Sequence, residues 1–350
     1  MVRLLDEPGD PGRLHAEGRV TRVALEEARE QVAAFFGARP REVVFTSGGT
    51  EAVNTAIFGA AARSGHPEPH LVASAVEHSA VLEAAHRAGR VTLVGVDRQG
   101  RFDPATTLAA IRPDTALVSI QLANHEVGTL QPAAEVVAAC RERDVLVHVD
   151  ACAAAGQVPV DFAALGADLC SVTAHKLGGP RGIGALLVRR GLRLPPFILG
   201  GAAERARRAG LENVAAAAGF AAAVAHLDLD TEASRSRSLT HRILTEIPKQ
   251  VDGISIFGDS AARLPHLVCL GVDGVEAEPV LLALDQHGIA AHSGSSCSSE
   301  TFEPSPVLRA MGVDADHSLR ISVGWSSTDN DVEAFLTTFP EVVSRLRSLC

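Results

Sequence analysis

Between residues 40 and 190, seven short apolar runs alternate with amphipathic segments, and this rhythm limits the possible folds more tightly than anything else in the chain. The runs read EVVFT, HLVASAV, VTLVGV, ALVSIQL, VLVHVD, DLCSVT and GIGALLV. Each has strand length and is apolar at nearly every position, so both of its faces must be covered. Segments such as HSAVLEAAHRAG and PAAEVVAACRER lie between them with helical spacing. Strands of this kind separated by helices predict a mainly parallel, seven-stranded sheet with helices on both faces, an α/β domain. After about residue 230 the rhythm changes. A polar helix, TEASRSRSLTHRILTEI, leads to ISIFG, HLVCLGV, AEPVLLALDQHG, the loop AHSGSSCSSE, SLRISVG and a last helix. The division expected is a large α/β domain over 13–232 and a small α+β domain over 233–350, joined by residues 1–12.

Composition narrows the function. Net charge is −10, so a nucleic-acid partner has no electrostatic footprint here. The opening MVRLLDEPGDPGR has acids and prolines where a signal peptide needs an apolar stretch. The alanine-rich run AAAAGFAAAVAHL is too short to cross a bilayer. Cysteines stand at 140, 152, 170, 269, 297 and 350 with no CxxC pair, which argues against a metal site. Reduced thiols and a cytoplasmic location are expected, with no membrane partner.

Ligands of open α/β sheets bind beyond the carboxyl ends of the strands. After VVFT comes SGGTEAVN, where Gly49 and Thr50 open a helix whose free N–H groups suit a phosphate. An ordinary strand–turn–helix junction reads the same way. His78 follows LVASAV, Asn124 follows VSIQL, and Asp150 ends VLVHVD, where a helix cap is the commoner use of aspartate. Thr173, His175 and Lys176 follow DLCSV. Of 32 basic residues only Lys176 and Lys249 are lysine. An amine can lose its proton and condense with an aldehyde, and a guanidinium cannot. Lys176 therefore points to pyridoxal phosphate, which needs a lysine, a phosphate cradle and a carboxylate for its ring nitrogen. His78 offers a ring to stack on it. Cys297 sits among small polar residues in HSGSSCSSE, as a travelling nucleophile or as an incidental loop cysteine.

These residues fall within ordered landmarks: VVFTSGGTEAVN, VEHSAVL, ANHEVGT, HVDA, TAHKLGGPRGIGALLVR, SGSSCSS, EPSPVLRAMG and LRISVG. In them the chain resembles the cysteine desulfurases, in the class V aminotransferase branch of fold-type I pyridoxal phosphate enzymes. The resemblance implies a homodimer that turns L-cysteine into L-alanine and passes the sulfur to an acceptor protein or small thiol. It implies that Lys176 binds the cofactor and moves the substrate proton, that Gly49, Thr50, Thr173 and His175 hold the phosphate, and that Asp150 pairs with the ring nitrogen. It places His78 on the ring, Asn124 beside ring and substrate, Arg320 on the substrate carboxylate, and the persulfide on Cys297. Several positions depart from the family. Ala153 stands where a glutamine is usual, Leu211 where a threonine reaches the partner subunit's phosphate, and Gly324-Trp325 where GR is usual. The family's opening YLD-x-AATTP segment has no counterpart, which leaves an impaired or more open site as an expectation. A C–S or selenocysteine lyase and a non-catalytic relative are the rival readings.

Overall fold

The structure, a computed structural model, describes residues 1–7, 9–293 and 304–349. All seven runs form strands: β1 (Val43–Thr46), β2 (His70–Ser74), β3 (Arg90–Val94), β4 (Thr115–Gln121), β5 (Leu146–Asp150), β6 (Leu169–Thr173) and β7 (Gly184–Val188). They make one sheet in the order β1-β7-β6-β5-β4-β2-β3. β7 pairs antiparallel with both neighbours, and the other pairings are parallel. Only residues 174–183 join β6 to β7. That is too short for a parallel crossover, which needs about a dozen residues or more. With β7 reversed, β1 runs in the direction of β2, β4, β5 and β6. Thr46, Ser74, Gln121, Asp150 and Thr173 therefore end on one edge of the sheet.

The helix Gly49–Ser64 covers part of one face. Its Ala52, Val53, Ala56, Ile57 and Ala60 pack on Val44, Leu71, Leu117, Leu169 and Leu186. Five strands contributing buried valine and leucine, set against an alanine-rich helix, build this core with few aromatic rings. The helix stops at Gly65, whose φ of 73° suits the left-handed cap. The helix Ala16–Phe35 packs against Val214–His226.

A buried ion pair ties this unit together. Arg29, 2 % exposed, makes a two-pronged contact with Glu204 at 2.7 Å on both prongs. Arg29 also donates to the Val43 carbonyl at 3.0 Å and lies 4.9 Å from the Phe45 ring centre. Glu204 in turn accepts from the Phe45 amide at 3.0 Å. Burial opposes the charge on Arg29, but Glu204 outweighs it and holds the guanidinium pKa above its ordinary value. Glu204, Arg205 and Ala206 have φ of 48°, 58° and 61°. Left-handed geometry costs roughly 1–2 kcal/mol for each such residue, and the ion pair anchors the turn that bears it.

A second unit contains β8 (Ile254–Phe257), β9 (Leu267–Val272), β10 (His292–Ser293) and β11 (Ser318–Ser322), in the antiparallel order β10-β11-β9-β8. The helix Leu229–Gln250 begins at Asp228, whose side chain accepts from the Thr231 amide. The helix Asp329–Arg347 begins with a capping box between Thr328 and Asp331. Leu239, Ile243, Val268, Leu270, Phe335 and Phe339 belong to the core beneath them. The first unit comprises Met1–Val94, Pro104–Leu122 and Pro132–Leu227, and the second Gly95–Asp103, Ala123–Gln131 and Asp228–Cys350. Residues 1–12 thus group with the large unit and not with the small one, because the helix Val2–Leu5 packs on Val214–His226. The short excursions 95–103 and 123–131 group with the second unit. Among the described residues no single helix is long and apolar enough to cross a membrane.

Removing one charge of the buried pair leaves the other uncompensated. Glu204→Gln is expected to cost about 3–5 kcal/mol, read as a lower urea midpoint for the first unit. An unchanged midpoint would show that the pair does not hold the turn.

Candidate functional site

The site grows from the shared strand edge. β1 ends at Thr46, and the chain turns through Ser47 and Gly48 into the helix Gly49–Ser64. No side chain caps this helix start, which leaves its first amides without a capping oxygen. A Cβ on Gly49 would lie 2.6 Å from Cys152 Sγ and 3.6 Å from Thr173 Cβ. Only glycine lets the helix start settle this closely against the ends of β5 and β6. Glu51 steadies the turn by accepting from the Ser47 amide at 2.8 Å and pairing with Arg208 at 2.9 and 3.2 Å. Burial raises the Glu51 carboxyl, but Arg208 and Ser47 outweigh it and hold the pKa below the ordinary value.

Asp150 is 8 % exposed at the end of β5 and accepts from the Cys152 amide at 2.9 Å. No cation lies within ion-pair distance of it among the described residues. Beside it in register stands Gln121 of β4, whose Nε2 is buried without a hydrogen-bond partner. On the other flank Ser171 of β6 pairs with Asp150. Beneath the carboxylate, His148 bridges Ser119 of β4 and Ser171 of β6 at 2.8 Å on each side. Burial lowers the His148 pKa to about 4, with Asp150 pulling the other way. The imidazole is neutral and ties three strands together where Asp150 emerges.

β6 ends at Thr173, followed by a tight helical turn, Ala174–Leu177, that closes at Gly178 with φ of 84°. The turn carries His175 and Lys176, both exposed. Thr173 Oγ1 and His175 Nδ1 are 3.0 Å apart. Partial burial, then Lys176 and Arg181, hold the His175 pKa below its ordinary value. His78 is half-buried at the start of the helix Ser79–Ala88, and its Nδ1 accepts from the Ala80 amide at 3.0 Å. The ring proton therefore sits on Nε2. Gly49, Thr50, His78, Asp150, Thr173, His175 and Lys176 all belong to the first unit.

Asn124 and Arg320 belong to the second unit. Asn124 is fully buried, and its Oδ1 accepts from the Glu126 and Val127 amides at 2.9 Å, which shapes the turn. Arg320 is half-buried on β11 and donates to the His125 carbonyl at 3.3 Å. Cys297 lies outside the described residues. The four described cysteines are free thiols. Burial raises the pKa of Cys140 to about 11 and of Cys269 to about 12, and it pushes Cys170 up further. Burial, then Asp150, also push Cys152 well up. None of these four is a thiolate near neutral pH.

The arrangement fits pyridoxal phosphate. An uncapped helix start with a glycine pressed against Cys152 forms the cradle, a buried carboxylate without a cation faces the same edge, and the lysine follows on the adjacent strand. Sequence reasoning missed Cys152 as part of this packing, and it missed the Ser119–His148–Ser171 bridge. A cysteine two residues after the aspartate, and serines in two strands flanking a histidine in the strand between them, were the available signals.

The model of the aminotransferase class-V family matches residues 9–335. A cysteine desulfurase IscS of Dictyoglomus turgidum is 39 % identical, over 99 % of this chain and 90 % of the relative. A solved NifS-like protein superposes with a TM-score of 0.91 at 31 % identity, covering 99 % of this chain and 94 % of the other. A structure titled SspA in complex with cysteine gives a TM-score of 0.81 at 28 % identity, covering 91 % of each chain.

Two outcomes test this geometry. Gly49→Ala forces a methyl against Cys152 Sγ and should cost about 1–3 kcal/mol, seen as a lower urea midpoint. Adding Cys152→Ala should restore most of it, and equal losses in both variants would place the clash elsewhere. His148 is neutral when folded and binds a proton near pH 6.5 when unfolded. The unfolded state thus binds more protons as pH falls from 6.5 towards 4, and stability drops by about 3 kcal/mol over that window. His148→Asn should remove that part of the acid sensitivity in urea titrations at pH 7, 5.5 and 4.5.

Proposed function

The chain belongs to the aminotransferase class-V family and, within it, to the cysteine desulfurases, and from that premise we propose that it converts L-cysteine to L-alanine and carries the released sulfur as a persulfide on Cys297. The observation that carries the reading is Lys176 on the turn after β6, beside a cradle built from Gly49 and a buried carboxylate at Asp150.

Pyridoxal phosphate supplies an aldehyde for amine capture and a ring that draws electrons from the bound amino acid. The protein does the rest. The helix start at Gly49 and Thr50, with Thr173 and His175, binds the phosphate. Asp150 would keep the ring nitrogen protonated, because a buried carboxylate without a protein cation favours a positive partner. His78 would offer its ring to the cofactor while its Nδ1 stays committed to the Ala80 amide. Lys176 would hold the cofactor in the resting protein, and its amine would move the substrate's α-proton. On the second unit, Asn124 would serve as a polar contact for the ligand, and the Arg320 fork would suit the substrate carboxylate.

The Cys297 thiolate attacks the substrate sulfur. A sulfur–sulfur bond forms, the Cβ–S bond breaks, and a proton delivered to the carbon skeleton completes alanine. The four described thiols, all raised by burial, leave this role to a cysteine elsewhere, which supports Cys297. A small thiol or an acceptor protein then removes the outer sulfur. The free thiols support a reducing, cytoplasmic setting. Phe197, Leu199 and Leu211 are exposed apolar side chains on one segment, which supports a homodimer.

Lys176→Ala should lower alanine formation roughly a thousandfold or more. Borohydride reduction of the wild type should place a pyridoxyl group on Lys176 by peptide mass spectrometry, and finding it on Lys249 would refute the assignment. Cys297→Ser should abolish alanine formation in the presence of a thiol while the cofactor's visible absorbance stays. Direct sulfide release at full rate by that variant would replace the desulfurase with a C–S lyase.

A further inference from the structure

A cavity of about 280 Å³ lies in the first unit away from the Lys176 turn. Val44, Val188, Leu192, Leu194 and Pro195 line it, together with Thr55, Arg193, Arg205, Ala206 and Arg207. None of the residues assigned to the cofactor is among them. Gly184 pairs with Thr173 at the cofactor edge, whereas Val188 is at the other end of β7. Four residue steps along the strand separate the two, roughly 13 Å.

Several independent features of this cavity belong together. Thr55 is 5 % exposed, and its hydroxyl is buried with no hydrogen-bond partner. Arg207 donates only to the Glu204, Arg41 and Val43 carbonyls, at 3.2, 3.0 and 3.2 Å. No carboxylate pairs with Arg207 or Arg193 among the described residues, and Arg205 alone has one, Glu26 at 3.0 Å. Burial, partly offset by Glu204 and reinforced by Arg205 and Arg29, lowers the Arg207 pKa to about 10. The left-handed turn at Glu204, Arg205 and Ala206 is what brings two of the three arginines to the same wall. Backbone held in the left-handed region clusters at ligand sites. The other wall is aliphatic.

We propose that this cavity binds a small amphipathic anion, with its oxyanion head at Arg193 and Arg207 and its apolar body against Val44, Val188 and Leu194. Guanidinium forks suit a carboxylate or a phosphate monoester, and a partly desolvated arginine gains most from such a partner. The volume suits a short aliphatic or single-ring body and nothing larger. The Thr55 hydroxyl supplies a neutral donor. The site is separate from the cofactor cradle and does not depend on the desulfurase reading.

Sodium octanoate is the probe, titrated by calorimetry into protein saturated with pyridoxal phosphate and, in parallel, into protein without it. Saturable binding with equal affinity in both forms is expected, with the cofactor absorbance unchanged. Octylamine should not bind. Arg193 is exposed and its side chain makes no ion pair, so Arg193→Gln folds and should weaken octanoate about tenfold. Thr55→Val keeps the shape and should weaken it about threefold. Inorganic phosphate should compete weakly, through the head alone. Equal binding of octylamine, affinities unchanged in both variants, or displacement of the cofactor would each overturn the proposal. So would failure of octanoate to bind together with a changed sedimentation coefficient for Arg193→Gln, because the cavity would then be covered by a second copy of the chain.

Discussion

Burial of the central sheet on both faces is the constraint on which the rest of the first unit depends. β1, β2, β6 and β7 are buried along their whole length, so their side chains short of the strand ends serve packing. A polar group inside such a layer costs free energy unless it is fully hydrogen-bonded. Chemistry is displaced to the one edge where the strands stop and loops and helix starts begin. Reversal of β7 keeps β1 parallel to the rest and puts its glycine turn on that same edge. A phosphate cradle from β1, a carboxylate from β5 and an amine after β6 meet there because adjacent strands end together.

The polar groups that do enter the core define its alignment. His148 satisfies both ring nitrogens with serines from neighbouring strands. A one-residue slip of β5 would turn His148 and Asp150 to the opposite face and strand both. The bridge therefore sets the register that delivers Asp150 to the site. Arg29 and Glu204 work in the same manner at the other side of β1. Their pairing through Val43 and Phe45 fixes β1 to the turn at 204–206. Both devices trade desolvation for a single arrangement of strands, and neither is reachable by apolar packing alone.

Much of this was legible in advance. The seven apolar runs announced seven strands, and all seven formed, with ends shifted by a residue or two. Lys176 stood out as one of two amines in an arginine-rich chain. Asp150 was visible as a charge closing an apolar run. The unit boundaries were less legible, because residues 95–103 and 123–131 carry no composition change to mark that they group with the second unit. Residues 1–12 were misplaced for a related reason. A four-residue helix has too little periodicity to reveal which surface it packs on. The role of Cys152 was not legible, since nothing local shows that its sulfur lies against Gly49, about a hundred residues earlier.

The amino-acid sequence by itself determined the kinds of element, their order along the chain and the chemical groups at their ends. Those depend on side-chain periodicity and on which functional groups an amine, a carboxylate or a thiol can supply, and both are local properties. The tertiary structure alone decided which ends are neighbours. Strand order places Thr46 opposite Gly184 and Gly184 opposite Thr173, although the first and last of these lie far apart in sequence. It also decided that Gly49 must lack a side chain, that His148 stays neutral and that three arginines share one cavity. Each of these follows from burial and proximity created by long-range pairing, which no window of residues contains.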